Sequence, residues 1–241
     1  MATTYLDLTN EVLRELNEIP LTSANFANAV GLQQFVKDAI NKSIFDIANE
    51  EPQLPFLTAG ESGATDPFYG NVTVATTAGT RWYELKESSS SIADDYASID
   101  WDDFYLTTIN VSGESAPFVS RGLKFLNLAD WKRYYRDSEN ADDANTQAYG
   151  EPKFVIKSPD ARKFGLSPIP DKEYNVHFYA FEKPTKLVAH GDTVVFPEQY
   201  TNVITAKTRY YIWQFKESPQ QAAFAMDDYK KAMRTMKSNL V

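Results

Sequence analysis

The chain has 241 residues, 43% of them hydrophobic and 24% charged, which is enough for one large domain or two small ones and argues against wholesale disorder. Its net charge of −9 disfavours a general grip on phosphates, and the absence of Cys excludes disulfides, thiolate metal sites and Cys nucleophiles. The N-terminus has neither the basic nor the apolar part of a signal peptide, and no apolar run has the length of a membrane span. The expectation is a soluble protein made in a cytoplasm, with no membrane partner.

A first helix is expected over residues 4–17, with Leu6, Val12, Leu13 and Leu16 on one broad face and Asn17-Glu18-Ile19-Pro20 as its end. A polar link, residues 22–28, leads to a second helix. There Leu32, Phe35, Val36, Ala39, Ile40 and Ile47 follow helical spacing, and Lys37, Asp38, Asn41 and Lys42 fall opposite. Pro52 and Pro55 close it.

The period then changes from 3.6 to 2. Residues 71–77 and 80–86 flank Ala78-Gly79 and predict a hairpin. Residues 101–111 predict a strand, 130–137 a short helix carrying aromatic and basic side chains, and 138–150 an exposed loop. Strands follow at 154–157, 163–166 and 174–181, with Tyr174, Val176 and Phe178 on one face of the last and Pro168-Ile169-Pro170-Asp171 as the turn before it.

Helix returns at Pro197, which suits the first helical position, with Glu198 favouring the positive end of the dipole. Tyr200, Ile204, Tyr211 and Phe215 form one stripe; Val203, Ala206, Tyr210 and Trp213 form another, so this helix touches two partners. The last helix opens with Ser218-Pro219-Gln220-Gln221, a capping box. Ala222, Met226, Tyr229, Met233, Met236 and Leu240 alternate steps of four and three, a narrow coiled-coil-type seam. A connection of about three residues predicts an antiparallel pair. The fold expected is α+β: residues 1–57 and 197–241 build a helical bundle, and a β-rich region, 58–196, is inserted between its halves.

Residue types that carry chemistry are sparse. His177 and His190 lie far apart, which leaves little for a zinc site or a His-based triad. Asp94-Asp95 and Asp100-Trp101-Asp102-Asp103 lack the spacing of a calcium loop. No phosphate-binding glycine motif is present. One positive cluster, Arg121, Lys124, Trp131, Lys132, Arg133 and Arg136, fits either a solvated helix face or an acidic or nucleic-acid partner. No catalytic, metal or cofactor site is expected.

The flanking regions resemble phage head–tail adaptor proteins, of the tail tubular protein A type of short-tailed phages. The N-terminal likeness is carried by Leu6, Leu13 and Leu16, by Asn17-Glu18-Ile19-Pro20-Leu21-Thr22, and by the Asn- and Ala-rich link into a long helix ending near Pro55-Phe56. The C-terminal likeness is carried by Pro197-Glu198, Tyr200, the aromatic helix to Phe215 and the capped last helix. Gly150-Glu151-Pro152, Leu166, Pro168, Pro170-Asp171 and Tyr174 add a looser match in the middle. The resemblance implies a virion structural protein and not an enzyme. It would form a ring, commonly of twelve copies, at the head–tail junction, between the portal above and a tail or nozzle protein below. DNA would pass through the centre without sequence-specific binding. Relatives can carry a C-terminal tail that reaches into the portal; here the helix ends the chain at Ser238-Asn239-Leu240-Val241. Those four residues, with Tyr210 and Trp213, are the expected interface. Another tail-completion or baseplate protein, and an enzyme or carbohydrate-binding module built on the aromatic β region, are the alternatives.

Overall fold

The computed structural model describes residues 3–60, 71–85, 96–108, 120–136, 149–160 and 162–240. It is α+β, and the chain divides into two compact units, residues 1–57 with 183–241, and residues 58–182. Asp94 and Asp95, residues 109–111 of the expected strand, residues 137–148 and Val241 lie outside the described residues.

The first unit is helical. Helix α1 (Tyr5–Glu15) opens on a capping box in which the Thr4 hydroxyl accepts from the Asp7 N–H and the Asp7 carboxylate accepts from the Thr4 N–H. It ends where Asn17 takes a positive φ of 56° and the Glu18 N–H reaches back to the Leu13 carbonyl at 2.9 Å. Helix α2 (Leu32–Glu50) follows. Three further helices are α3 (Leu128–Tyr134) in the other unit, then α4 (Thr201–Phe215) and α5 (Pro219–Leu240) here. Pro197 does not start α4; it caps a 3₁₀ turn, Glu198–Tyr200, that leads into it. Leu8, Val12 and Leu13 of α1, Val36, Ile40 and Ile47 of α2, Val203, Ile204 and Ile212 of α4, and Tyr229, Met233 and Met236 of α5 share one core. The seam of α5 is thus the expected one, with Met226 and Leu240 half-buried at its edge.

Two residues assigned to the outer face of α2 are inside. Lys37 and Asn41 are 8% and 6% exposed. The Lys37 ammonium donates to the Phe26 carbonyl at 2.8 Å and lies over the Phe26 ring, so the polar head closes the link between α1 and α2. Asn41 donates to the Leu187 carbonyl at 3.0 Å and accepts from the Leu187 N–H at 2.8 Å, imitating a strand partner for an irregular segment. It also donates to the Tyr5 hydroxyl at 2.9 Å, which donates onward to the Lys37 carbonyl at 2.7 Å. Residues 183–196, grouped with the β region on sequence, therefore belong with the helices. Leu187, Val194 and Phe196 are buried there, and the Tyr5 and Val194 N–H groups bond to the Asp192 and Thr3 carbonyls. The physical reason is pairing: an irregular segment buries its backbone only where side chains and neighbouring loops satisfy it.

The second unit is a β structure whose main sheet has eight strands. They are β1 (Thr58–Ala59), β2 (Val72–Ala75), β3 (Trp82–Glu84), β4 (Tyr96–Thr108), β5 (Ser120–Leu126), β7 (Phe154–Lys157), β8 (Lys163–Ser167) and β10 (Tyr174–Glu182). The order is β1-β10-β4-β5-β7-β8-β3, with β2 also on β10, and β5 and β7 run parallel. Two short strands, β6 (Tyr149–Gly150) and β9 (Ile169–Pro170), pair separately. Phe178 on β10 and Phe164 on β8 stand four strands apart in this order. A flat sheet would hold them roughly 19 Å apart at the usual strand spacing, yet their rings are 5.9 Å apart, with Phe104 against both. The sheet therefore curls so that its concave face closes on itself.

That curl explains why the expected hairpin does not form. β2 pairs with β10 and β3 pairs with β8, so the two strands leave their connection for different neighbours. Gly79, at φ 76°, gives the turn, but its N–H bonds to the Pro170 carbonyl at 2.9 Å, and the Tyr83 hydroxyl donates to the Thr80 carbonyl at 2.6 Å. His177 is 6% exposed on β10, between the Thr73 and Thr107 hydroxyls at 3.0 and 2.8 Å on the flanking strands. Its role is to tie β2, β10 and β4.

Candidate functional site

The surface around α4 and α5 is built in three layers. The first is the apolar seam described above. The second is a belt of paired charges that fixes α4 against α2 and α5. Lys207, 5% exposed, donates to the Glu50 carboxylate at 2.6 Å and lies over the Tyr229 ring. The Tyr229 hydroxyl donates to the other Glu50 oxygen, and the Tyr211 hydroxyl donates to Asp46. Arg209 joins Glu15 of α1, at 3.4 Å, to Asp228 of α5, at 3.7 Å. Burial by itself would raise the Glu50 carboxyl; the hydrogen bonds from Lys207 and Tyr229 and the charges of Lys207 and Lys237 outweigh it and hold the group below the ordinary range. Burial first, then the bonds to Glu50 and Asp46, push the Tyr229 and Tyr211 hydroxyls above the ordinary tyrosine range.

The third layer is a groove of about 600 Å³ where α4 meets the start of α5. Tyr210 and Trp213 form one wall, Pro219, Ala222, Ala223 and Met226 the other. Tyr210 and Trp213 are half-buried; the Tyr210 hydroxyl accepts from Gln214 at 2.6 Å, and Lys216 lies 5.5 Å from the centre of the Trp213 ring. On the other side of α4, Phe215 is 59% exposed and stacks on Phe35 at 4.3 Å.

The structure thus brings Tyr210 and Trp213 into one groove. Ser238 and Asn239 are exposed in the last turn of α5, more than three turns past Met226, and Leu240 packs at the edge of the core. These are separate surfaces. Pro219, Ala222, Ala223 and Met226 were missed as groove residues. The available signal was a second stripe on the last helix, 219, 223, 226, at steps of four and three. In the second unit the expected basic cluster is dispersed: Arg121 pairs with Glu151 at 3.1 Å, and Trp131 is buried edge-on to Trp82 with Arg81 over it. Asp100 accepts from the Asp102 N–H at 3.0 Å, a local turn contact.

What these residues offer is shaped faces and a rigid belt behind them, the equipment of a protein that works by contact. A family model described as SU10 adaptor protein matches residues 3–240, and the chain belongs to that family. It is accordingly a phage adaptor, a structural component of the virion that interacts with other virion components. No curated protein matches the chain in sequence.

Proposed function

We propose that the protein is a head–tail adaptor that assembles as a ring, of about twelve copies as is common for such adaptors, beneath the portal and above the next tail component, leaving a channel for DNA. The observation that carries this reading is the adaptor family match along residues 3–240. The helical unit supports it. α4 is held on both sides, by α2 and α5, and still presents Tyr210, Trp213 and Phe215 outward, so contacts with other virion components can form without disturbing the core. The net charge of −9 suits a channel that DNA must leave. Ser238 and Asn239, exposed at the end of α5, are the proposed portal-side contact. Lateral contacts between such acidic subunits are polar and individually weak, and many equivalent docking sites on a portal raise the local concentration of neighbours. The isolated chain is therefore monomeric and closes into a ring on its partner.

Electron cryomicroscopy of assembled particles carrying a bulky tag on this chain tests the reading. Tag density in a ring at the head–tail vertex is expected. Density at the distal tail would replace the adaptor with a baseplate role.

A further inference from the structure

The groove of α4 and α5 does not end at Met226. Along α5 the positions 226, 230, 234 and 237 recur at steps of four, four and three and therefore share one side of the helix. They carry Met226, then Lys230, Arg234 and Lys237. Residues 229–241 hold four basic side chains and no acidic one, in a chain whose net charge is −9. Lys237 pairs with Glu51, and Asp228 is engaged by Arg209. Lys230, Lys231 and Arg234 are exposed and make no ion pair among the described residues. These three cations face outward beside an apolar groove.

We propose that this surface docks an amphipathic acidic segment of another virion protein, with a large apolar side chain in the Tyr210–Trp213–Met226 groove and carboxylates over Lys230 and Arg234. The alanines at 222 and 223 let a helical segment approach closely, and Met226 adapts to the anchor's shape. From Met226 to Arg234 is about 12 Å along the helix, so anchor and carboxylates lie within two to three turns of one helix. The basic strip sets direction, because a reversed segment would bring its acids to Glu217 at the opposite end of the groove. DNA is the weaker match. Three free cations make few phosphate contacts, and Asp227 stands in the turn before them.

This inference rests on the adaptor reading for its setting, and two measurements separate them. A photo-crosslinking residue placed at the exposed Ala223 is carried into particles. The expected product joins it to a different virion protein, through a peptide with at least two carboxylates within about three turns of a large apolar residue. Lys230→Glu with Arg234→Glu should lower its yield about tenfold or more while the helical melt stays in place. Products with a second copy alone, with DNA, or with a segment lacking acids overturn the inference and leave the adaptor reading standing. Absence of the chain from particles defeats the adaptor reading instead. The second measurement needs no particle: fluorescence anisotropy of two synthetic amphipathic helical peptides, each with one Phe anchor, one bearing Glu and one Lys. The acidic peptide should bind the purified chain about tenfold more tightly; equal binding, or none, overturns the inference.

Discussion

Replacing Asn41 tests the claim that the helical unit depends on a single side chain standing in for a strand. Asn41→Leu keeps the side chain's reach but removes three hydrogen bonds, two to the Leu187 backbone and one to the Tyr5 hydroxyl. Leu187 is 6% exposed, so its N–H and C=O lose their partners away from water. An unmatched buried backbone group costs about 1–3 kcal/mol. Two such groups, with some relaxation toward solvent, give a loss of about 2–5 kcal/mol, a large share of a typical domain's stability. Urea denaturation followed by helical circular dichroism measures it. Asn41→Asp supplies the sharper control. One oxygen still accepts from the Leu187 N–H, but the other now faces the Leu187 carbonyl, so the acid must be neutral to donate. Its folded pKa is thereby raised. A raised acid contributes stability that is complete below its unfolded pKa of about 3.9 and is lost as pH rises. The deficit of Asn41→Asp relative to the parent should shrink as pH falls. A loss under about 1 kcal/mol for Asn41→Leu, or a pH-independent deficit for Asn41→Asp, would refute the argument.

Four further outcomes are expected. Met233→Asp buries an unpaired charge in the seam of α5 and should cost several kcal/mol, about 3 or more, read as a fall in melting temperature. The depressed Glu50 contributes stability present above the ordinary Glu pKa and lost as pH falls through its lower folded value; Glu50→Gln should therefore weaken the protein at neutral pH and flatten its acid-denaturation limb. Gly165→Ala would place a Cβ 2.7 Å from the Trp82 ring, and the strand pair behind it gives little room, so about 1–3 kcal/mol should be lost from the β unit in a near-ultraviolet melt. Light scattering of the purified chain at micromolar concentration should report a monomer; a stable ring without a portal would reverse the proposed order of assembly.

The helices were legible because their periodic faces are local. Positions 32, 36, 40 and 47 of α2, and 222, 229, 233 and 236 of α5, announce a buried side whatever lies against it. Strands β7, β8 and β10 were legible for the same reason. Partners were not. Ala78-Gly79 signals a turn equally well for a hairpin and for two strands bound to opposite parts of a curled sheet, and the choice is made by residues about 90 positions away. Hydrophobic periodicity also assigns every Lys and Asn to solvent. It had no means of seeing that Lys37 has a carbonyl to meet at Phe26, or that Asn41 has a backbone to pair with at Leu187. The groove was half legible: aromatic content marked Tyr210 and Trp213, while Met226 was absorbed into the seam.

The pairing of β1 with β10 bears on the order in which the chain matures. Thr58 lies opposite Phe181 and Ala59 opposite Ala180, so the entry and exit of the β unit are hydrogen-bonded neighbours. The helical unit is split in sequence, and α1 and α2 wait for a segment made about 125 residues later. Closing so long a loop in a loose chain costs about 4 kcal/mol of entropy. Once the β unit has folded, its two ends are already a strand's spacing apart, and nearly all of that cost is met before α4 and α5 leave the ribosome. The β unit thus acts as a folding clasp for the helices, and cutting the β1–β10 pair should slow their assembly while changing few of their own contacts.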